Sequence, residues 1–293
     1  MGKHNKILVT AGYGNQAHSV IPRLAAAGFT VRAMRRKERP GPGPLELGAH
    51  EVVVGDATDP GDALRAMEGV DTVYHIGPTF HPSEQQMGFN MIDQAKKAGV
   101  GHFIFSSVLH PILFGLPQHV FKRAIEEHLL LSLLDFTILQ PSDYMQITAK
   151  SVDVEGGAFV STFTKDNREA LVDLDDVAQV VVKVAAEREA HFGATYELSS
   201  ENLRKVDLAR GLQRAFGRPF SVRTVEPVFE NAPDIFGDAA GEDLTHQIAF
   251  LHAVRDWYDE NDFIGNRNVL QMLLGREPTG WEQFCRRHFG IAG

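Results

Sequence analysis

The sequence predicts an α/β fold: a doubly wound parallel sheet with a smaller, mainly helical lobe after it. Three observations carry this expectation. Short apolar runs alternate with helical patterns through the first half of the chain, the order that builds parallel sheets flanked by helices. Runs such as Phe103-Ile104-Phe105 are nearly continuous in apolar residues, which suits strands buried on both faces. The first run ends in a glycine-rich turn, VTAGYGNQAH over residues 9–18, placed directly before a helical pattern.

The elements follow in order. Strands are expected at Ile7–Thr10, Phe29–Met34, Glu51–Val54, Thr72–Ile76, His102–Ser106 and Phe136–Leu139. Helices are expected at Gln16–Ala27, Gly61–Met67, Glu84–Lys97 and His119–Leu131. Pro22 falls about two turns into the first helix, where a lost hydrogen bond can cost up to ~3 kcal/mol, so a kink or a later start is expected. The stretch RPGPGPLELG reads as a loop. Further on, GGAFVSTF, REALVDL and ATYELS read as strands, and DLDDVAQVVVKVAAE as a helix capped by aspartates. From about residue 201 helices dominate. We expect a dinucleotide-binding domain over residues 1–150 and a smaller lobe over 151–293 that returns some strands and helices to it. The boundary is soft, between residues 145 and 155.

The chain has 293 residues, 43% hydrophobic and 23% charged, enough to bury a substantial core. Its net charge of −9 speaks against a nucleic-acid partner. The single cysteine, Cys285, excludes a disulfide framework and fits a reducing compartment. No run approaches the ~20 apolar residues of a membrane span, and nothing reads as a signal peptide. A cytoplasmic protein without a membrane partner is the expectation. No His-x-x-x-His helix pair or carboxylate cluster suggests a metal.

In parallel α/β sheets ligands bind at the carboxyl ends of the strands. There Gly12-x-Gly14-x-x-Ala17 meets the tolerant form of the dinucleotide fingerprint, with Thr10, Asn15 and Gln16 around it. Backbone amides and the helix N-terminus would face a pyrophosphate; the plain alternative is a strand-to-helix turn. The second strand ends in Arg35, Arg36 and Lys37, within a basic run that also includes Arg32 and Arg39. An acid at this point would bond a ribose 2′-hydroxyl, whereas arginine can hold a 2′-phosphate with two bonds. NADP(H) is therefore favoured over NAD(H). GDATDP, residues 55–60, closes the third strand, and Asp56, next to Ala57, is the candidate acceptor for an adenine amino group. Ile76, Gly77 and Pro78 close the fourth strand, and Gly77 would let a cofactor pass closely.

Together these residues resemble the NmrA-like atypical short-chain dehydrogenases/reductases, a Rossmann-like family. VTAGYGNQAHSV looks like the family opening, Gly-x-x-Gly-x-x-Gly ending in Asn-Gln-Gly, with Ala11 and Ala17 in place of the first and third glycines. VRAMRR, GDATDP, AKKAGVGHFIFSSV, FKRAIEEHLLLSLLDFTILQPSDYMQ, LDDVAQVVVKV and LLGREPTGWEQF follow in the family order. The resemblance implies NADP(H) binding. It leaves activity open, because the family holds reductases, pathway hydroxylases and non-enzymatic redox sensors.

Ordinary short-chain dehydrogenases carry a tyrosine four residues before a lysine on one helix face. Lys122 fits the lysine position, but Gln118 stands where the tyrosine would be. The catalytic candidates are accordingly Lys122, orienting the nicotinamide ribose, with His119 or His110 handling a proton. Ser106, Lys122 and Pro141 join the cofactor candidates, and His81, His110, Tyr144 and Met145 are substrate candidates. Phe159, Phe163, Trp257, Tyr258 and Phe263 either line an apolar pocket or belong to the core. Two functional readings result. One is an NADP(H)-dependent oxidoreductase, a reductase or a pathway hydroxylase, acting on a small aromatic or carbonyl-bearing molecule. The other is a non-catalytic NADP(H) sensor that meets a partner protein through the C-terminal lobe, in the helical stretch Gly241–Tyr258. A homo-oligomer is compatible with either.

Overall fold

A computed structural model describes residues 5–38, 41–226 and 244–291. Arg39 and the start of the expected Gly241–Tyr258 helix lie outside the described residues. The chain divides into two compact units. The first comprises the residues up to Leu113 together with Gln118–Gln140 and Val177–Tyr196. The second comprises Phe114–Pro117, Pro141–Asp176 and the chain from Glu197 onward.

The first half runs β1 (Lys6–Val9), α1 (Asn15–Ala26), β2 (Thr30–Arg35), β3 (Glu51–Val54), α2 (Pro60–Ala66) and β4 (Thr72–Ile76). It continues with α3 (Glu84–Ala98), β5 (His102–Ser106), α4 (Pro117–Leu131) and β6 (Phe136–Pro141). Each element expected in this half is present, with its ends displaced by at most two residues. After these come β7 (Asp143–Tyr144), α5 (Met145–Thr148), β8 (Val152–Asp153), β9 (Ala158–Ser161), β10 (Glu169–Val172) and α6 (Leu174–Ala186). Then follow β11 (Ala194–Leu198), β12 (Glu201–Leu203), α7 (Lys205–Phe216) and β13 (Ser221–Thr224), and the helices Leu244–Glu260, Arg267–Leu274 and Trp281–His288. Strands β12 and β13 fall where helices were expected to dominate. They pair with β10 and β9 through three- and four-residue ladders, too short to leave a periodic signal in the sequence.

Seven strands form one sheet in the order β11-β6-β5-β4-β1-β2-β3. Pairings β1–β2, β1–β4, β2–β3, β4–β5 and β5–β6 are parallel. This is the Rossmann-like doubly wound order, and it reverses between β1 and β4. Strands β4 and β5 are buried along their whole length, which explains their largely apolar character. One face of the sheet packs Leu8, Val73, Phe103 and Ile138 against Met67, Met91, Ile92 and Ile125 from α2 to α4 and their flanks. In the second unit a separate core gathers Met145, Phe159, Leu171, Leu208, Leu212, Trp281 and Phe284. Cys285 is sealed in it, and burial, followed by the nearby Glu282 charge, pushes its thiol up to about 12.

Pro22 neither delays nor ends α1, which runs from Asn15 to Ala26 with the proline inside. Pro22 and His18 both sit on the exposed face, so water can reach the carbonyl that proline leaves without a donor.

Ala11, in the turn after β1, adopts a left-handed φ of 51°. A side chain there costs ~1–2 kcal/mol, while glycine would give back ~0.5–1 kcal/mol through a freer unfolded chain. Ala11→Gly is therefore expected to stabilise the protein by about 0.5–1 kcal/mol, read as a higher thermal midpoint. An unchanged or lower midpoint would rule out strain at this turn.

Candidate functional site

The loops that follow β1, β2, β3, β4 and β5 all open on the carboxyl edge of the parallel sheet. At the reversal point Thr10 staples β1 to β4. Its hydroxyl donates to the Ile76 carbonyl (2.9 Å) and accepts from the Ile76 amide (2.7 Å).

The glycine turn is shaped by close backbone approach. A Cβ on Gly12 would lie 3.2 Å from the Met34 carbonyl oxygen and 3.0 Å from Pro44 Cγ. One on Gly14 would lie 3.0 Å from the Ala11 carbonyl. Gly14 is the N-cap of α1, so no side chain caps this helix, and its first turn carries no acid. Helix α2, by contrast, is capped by Asp59, whose side chain accepts from the Asp62 amide. The first amides of α1, from Asn15 on, have no acceptor within the helix. An anion is the natural occupant of such an end, and these residues fit a pyrophosphate. Ala17 is fully buried, as close packing of helix on sheet requires.

Gln16 turns inward. Its Oε1 accepts from the Tyr74 hydroxyl (2.5 Å) and from the Ser106 hydroxyl (3.0 Å). The side chains of Gln16 and Ser106, both expected at the cofactor, are thus tied to each other beneath the turn.

At the end of β2, Arg35 donates from both terminal nitrogens to the Glu38 carboxylate and from Nη1 to the Tyr13 hydroxyl (2.9 Å). Tyr13 in turn donates to Glu38 Oε2 (3.1 Å). The basic run expected from the sequence therefore includes an acid that the sequence reading passed over. After β3, Asp56 Oδ1 accepts from the Thr58 amide and hydroxyl, each at 2.8 Å. The Ala57 carbonyl accepts from the Asn90 side chain (3.0 Å).

Beside the ends of β4 and β5 lies a buried ion pair. Lys122 Nζ lies 2.8 Å from Glu84 Oε1, with the two side chains 5% and 0% exposed. The ammonium also donates to the Ser106 carbonyl (3.2 Å) and stands 5.3 Å from the centre of the Phe105 ring. Burial raises the Glu84 carboxyl above the usual range, and Lys122 offsets this only in part. A Cβ on Gly77 would sit 2.8 Å from Glu84 Oε1 and 3.2 Å from Lys122 Nζ, so glycine makes room for the pair. Ile76 is buried and Pro78 half-buried beside it. Glu84 was not a candidate in the sequence, because an acid in the first turn of a helix is ordinary. Gln118, one turn before Lys122, is buried, and its Oε1 has no hydrogen-bond partner. One turn after Lys122, Glu126 accepts from Gln140 (2.9 Å), and burial raises its carboxyl.

The histidines differ in what they can do. His119 Nδ1 lies 2.9 Å from the His110 carbonyl oxygen, so this nitrogen carries the proton and Nε2 is the lone-pair side. Burial lowers its pKa to about 4, which leaves the ring neutral at pH 7. In this state His119 accepts a proton and does not donate one. His110 has a left-handed φ of 55° at the loop after β5. His81 is buried, and its Nδ1 accepts from the Ser83 amide (3.0 Å).

Pro141, Tyr144 and Met145 belong to the second unit. Met145 is fully buried in that unit's core. Phe159 lies in the same core, while Phe163, Trp257, Tyr258 and Phe263 stack on one another, so these aromatics are packing residues. The Tyr258 hydroxyl donates to Asp143 (2.6 Å). Burial raises the Asp143 carboxyl and the neighbouring Glu169 carboxyl, the latter also through the Asp143 charge.

A doubly wound sheet with an uncapped glycine turn at its reversal point and arginine at the end of β2 defines a dinucleotide-binding protein of the Rossmann-like class. The family is specific: the chain belongs to the NmrA-like family, whose model matches residues 3–284. It is 26% identical over 300 residues to the NAD(P)H azoreductase of Xenophilus azovorans, covering 98% of this chain and 99% of that one. Among solved structures it resembles NmrA, a negative transcriptional regulator in complex with NADP, with a TM-score of 0.80, 20% identity and coverage of 99% and 96%. It also resembles the NADPH-dependent quinone oxidoreductase of Escherichia coli complexed with NADPH, with a TM-score of 0.74, 21% identity and coverage of 97% and 99%. Among the described residues no helix is long and apolar enough to cross a membrane.

Two outcomes follow from the buried groups. Glu84→Gln leaves a buried ammonium without its counter-charge and is expected to cost ~3–5 kcal/mol, most of it recovered when Lys122→Met is added. Urea unfolding of the single and double variants reads this directly, and additive losses would contradict it. His75, His102 and His119 have burial-lowered pKa values of about 3, 3 and 4. Below pH 6.5 the unfolded chain binds these protons and the folded chain does not. Stability is then full above pH 6.5 and falls toward pH 4 by up to ~1.4 kcal/mol per pH unit for each histidine. Equal urea midpoints at pH 7.5 and pH 5 would contradict this.

Proposed function

We propose that this protein is an NADP(H)-dependent oxidoreductase that reduces a small aromatic or carbonyl-bearing molecule. The observation that carries the reading is the Lys122 ammonium, buried at the carboxyl end of β5 and held by Glu84 and the Ser106 carbonyl. A buried charge is costly to keep, and such groups gather where a ligand or a reaction needs them. The azoreductase and the quinone oxidoreductase named above support the same class of activity.

A bound nicotinamide would supply the hydride. The residues of this chain would do the rest. The amides of Asn15 and Gln16 and the turn at Gly12 and Gly14 would hold the pyrophosphate. Thr10, Ile76, Gly77, Pro78 and Ser106 would form the crevice wall, with Asp56 and Ala57 at the adenine end. Arg35 and Arg36 would meet the 2′-phosphate. Lys122 would orient the nicotinamide ribose. In the reduction the acceptor would take the hydride from the nicotinamide and its proton from water; in the reverse direction His119, neutral with Nε2 as acceptor, would take up the proton of an alcohol or hydroquinone.

Gln118 favours a second reading, a cofactor-binding sensor. It occupies the place of the usual tyrosine and cannot transfer a proton at neutral pH.

One experiment separates the two. NADPH is titrated by fluorescence, and its oxidation is then followed with quinones, azo dyes, enones and aromatic ketones. Turnover on at least one acceptor is expected. Tight binding with no turnover on any of them would make the protein a sensor. Lys122→Ala should weaken NADPH binding and lower turnover, and a variant unchanged in both would remove Lys122 from the site.

A further inference from the structure

The side chain that meets Arg35 at the end of β2 is an acid. Glu38 takes two bonds from the Arg35 guanidinium and one from the Tyr13 hydroxyl. The Glu38 side chain is 76% exposed, whereas Arg35 is only 12% exposed. Arg35 is held from below, its guanidinium 5.7 Å from the centre of the Tyr13 ring and its Nη1 bonded to the Tyr13 hydroxyl. Arg35 Nε is buried and has no hydrogen-bond partner. The cation is therefore fixed, and the anion on it sits at the rim. A carboxylate with two oxygens satisfies part of a donor set that a phosphate with three terminal oxygens could satisfy more fully.

We propose that Glu38 is an internal stand-in for the 2′-phosphate and sets the choice between the two nicotinamide cofactors. This rests on the reading of Arg35 as part of a dinucleotide site. With Glu38 in place, its carboxylate accepts the 2′-hydroxyl of NADH, the role that acids at the end of the second strand fill in such folds. When NADPH binds, its 2′-phosphate takes the Arg35 and Tyr13 donors and Glu38 leaves for solvent, because two anions cannot share one guanidinium without repulsion. One exposed side chain thus lets a single pocket take either cofactor, and it lowers the affinity for the phosphorylated one.

The test uses the full-length protein and fluorescence titrations with NADPH and NADH. Glu38→Ala should tighten NADPH by about tenfold and weaken NADH several-fold, a change of opposite sign for the two cofactors. Glu38→Gln, which keeps an acceptor and removes the charge, should tighten NADPH and leave NADH within about twofold. In an Arg35→Ala background the Glu38→Ala gain for NADPH should disappear. Glu38 is exposed, so these variants leave the fold intact, which circular dichroism checks. If the wild type binds NADPH and Glu38→Ala shifts both cofactors by the same factor, or neither, the stand-in role is refuted while the dinucleotide site remains. If the wild type binds neither cofactor, the site itself is refuted.

Discussion

A lysine ammonium without water around it must find its charge and its hydrogen bonds in the protein, and in this fold that requirement ties four elements together. Lys122 comes from α4, Glu84 from the first turn of α3, the accepting carbonyl from the end of β5, and the gap that admits the pair from Gly77 at the end of β4. Each alone would be unfavourable: a buried acid, a buried base, and a glycine inside the crevice wall. Together the two charges offset one another and the ammonium bonds the Ser106 carbonyl, which lowers the cost of keeping ionic groups in a core. The turn from Pro78 to Ser83, with His81 bonded to the Ser83 amide, delivers Glu84 to that point.

The same edge of the sheet collects the departures from local preference. Ala11, Phe80 and His110 are non-glycine residues with left-handed φ, and all three lie in loops that leave a strand at its carboxyl end. Gln118 Oε1 is buried there without a partner. The opposite behaviour appears just below, where Thr10 joins β1 to β4 and Gln16 gathers Tyr74 and Ser106. Strain at the rim is held by satisfied polar staples one layer down, as expected where a scaffold is shaped for a ligand.

The sheet was legible in the sequence because buried parallel strands and helices with one apolar face each leave a local signal. The chain from β1 to β6 reads off in order, and so does the glycine turn. Strands β12 and β13 were not legible, since each depends on a partner strand far away in sequence. The site was legible where chemistry is local. Lys122 stands out by its place on α4, and Arg35 by its place at the end of β2. Glu84 and Glu38 were not, because their importance comes from what they face across 38 and three residues respectively. The burial of Met145 was not legible either, since α5 turns its side chain into a core built from distant segments. The protonation side of His119 depends on the carbonyl of His110, a contact set by a bend that no residue pattern announces.

One quiet feature of the second unit bears on the chemistry proposed for the first. Quinones and enones are arylating and alkylating agents, and their first target in most proteins is an exposed thiolate. This chain has a single sulfhydryl, interred among Trp281, Phe284 and Leu212 and protonated up to about pH 12. It offers such electrophiles no ready sulfur nucleophile. If the protein reduces such acceptors as proposed, it would do so turnover after turnover without being modified by them through sulfur.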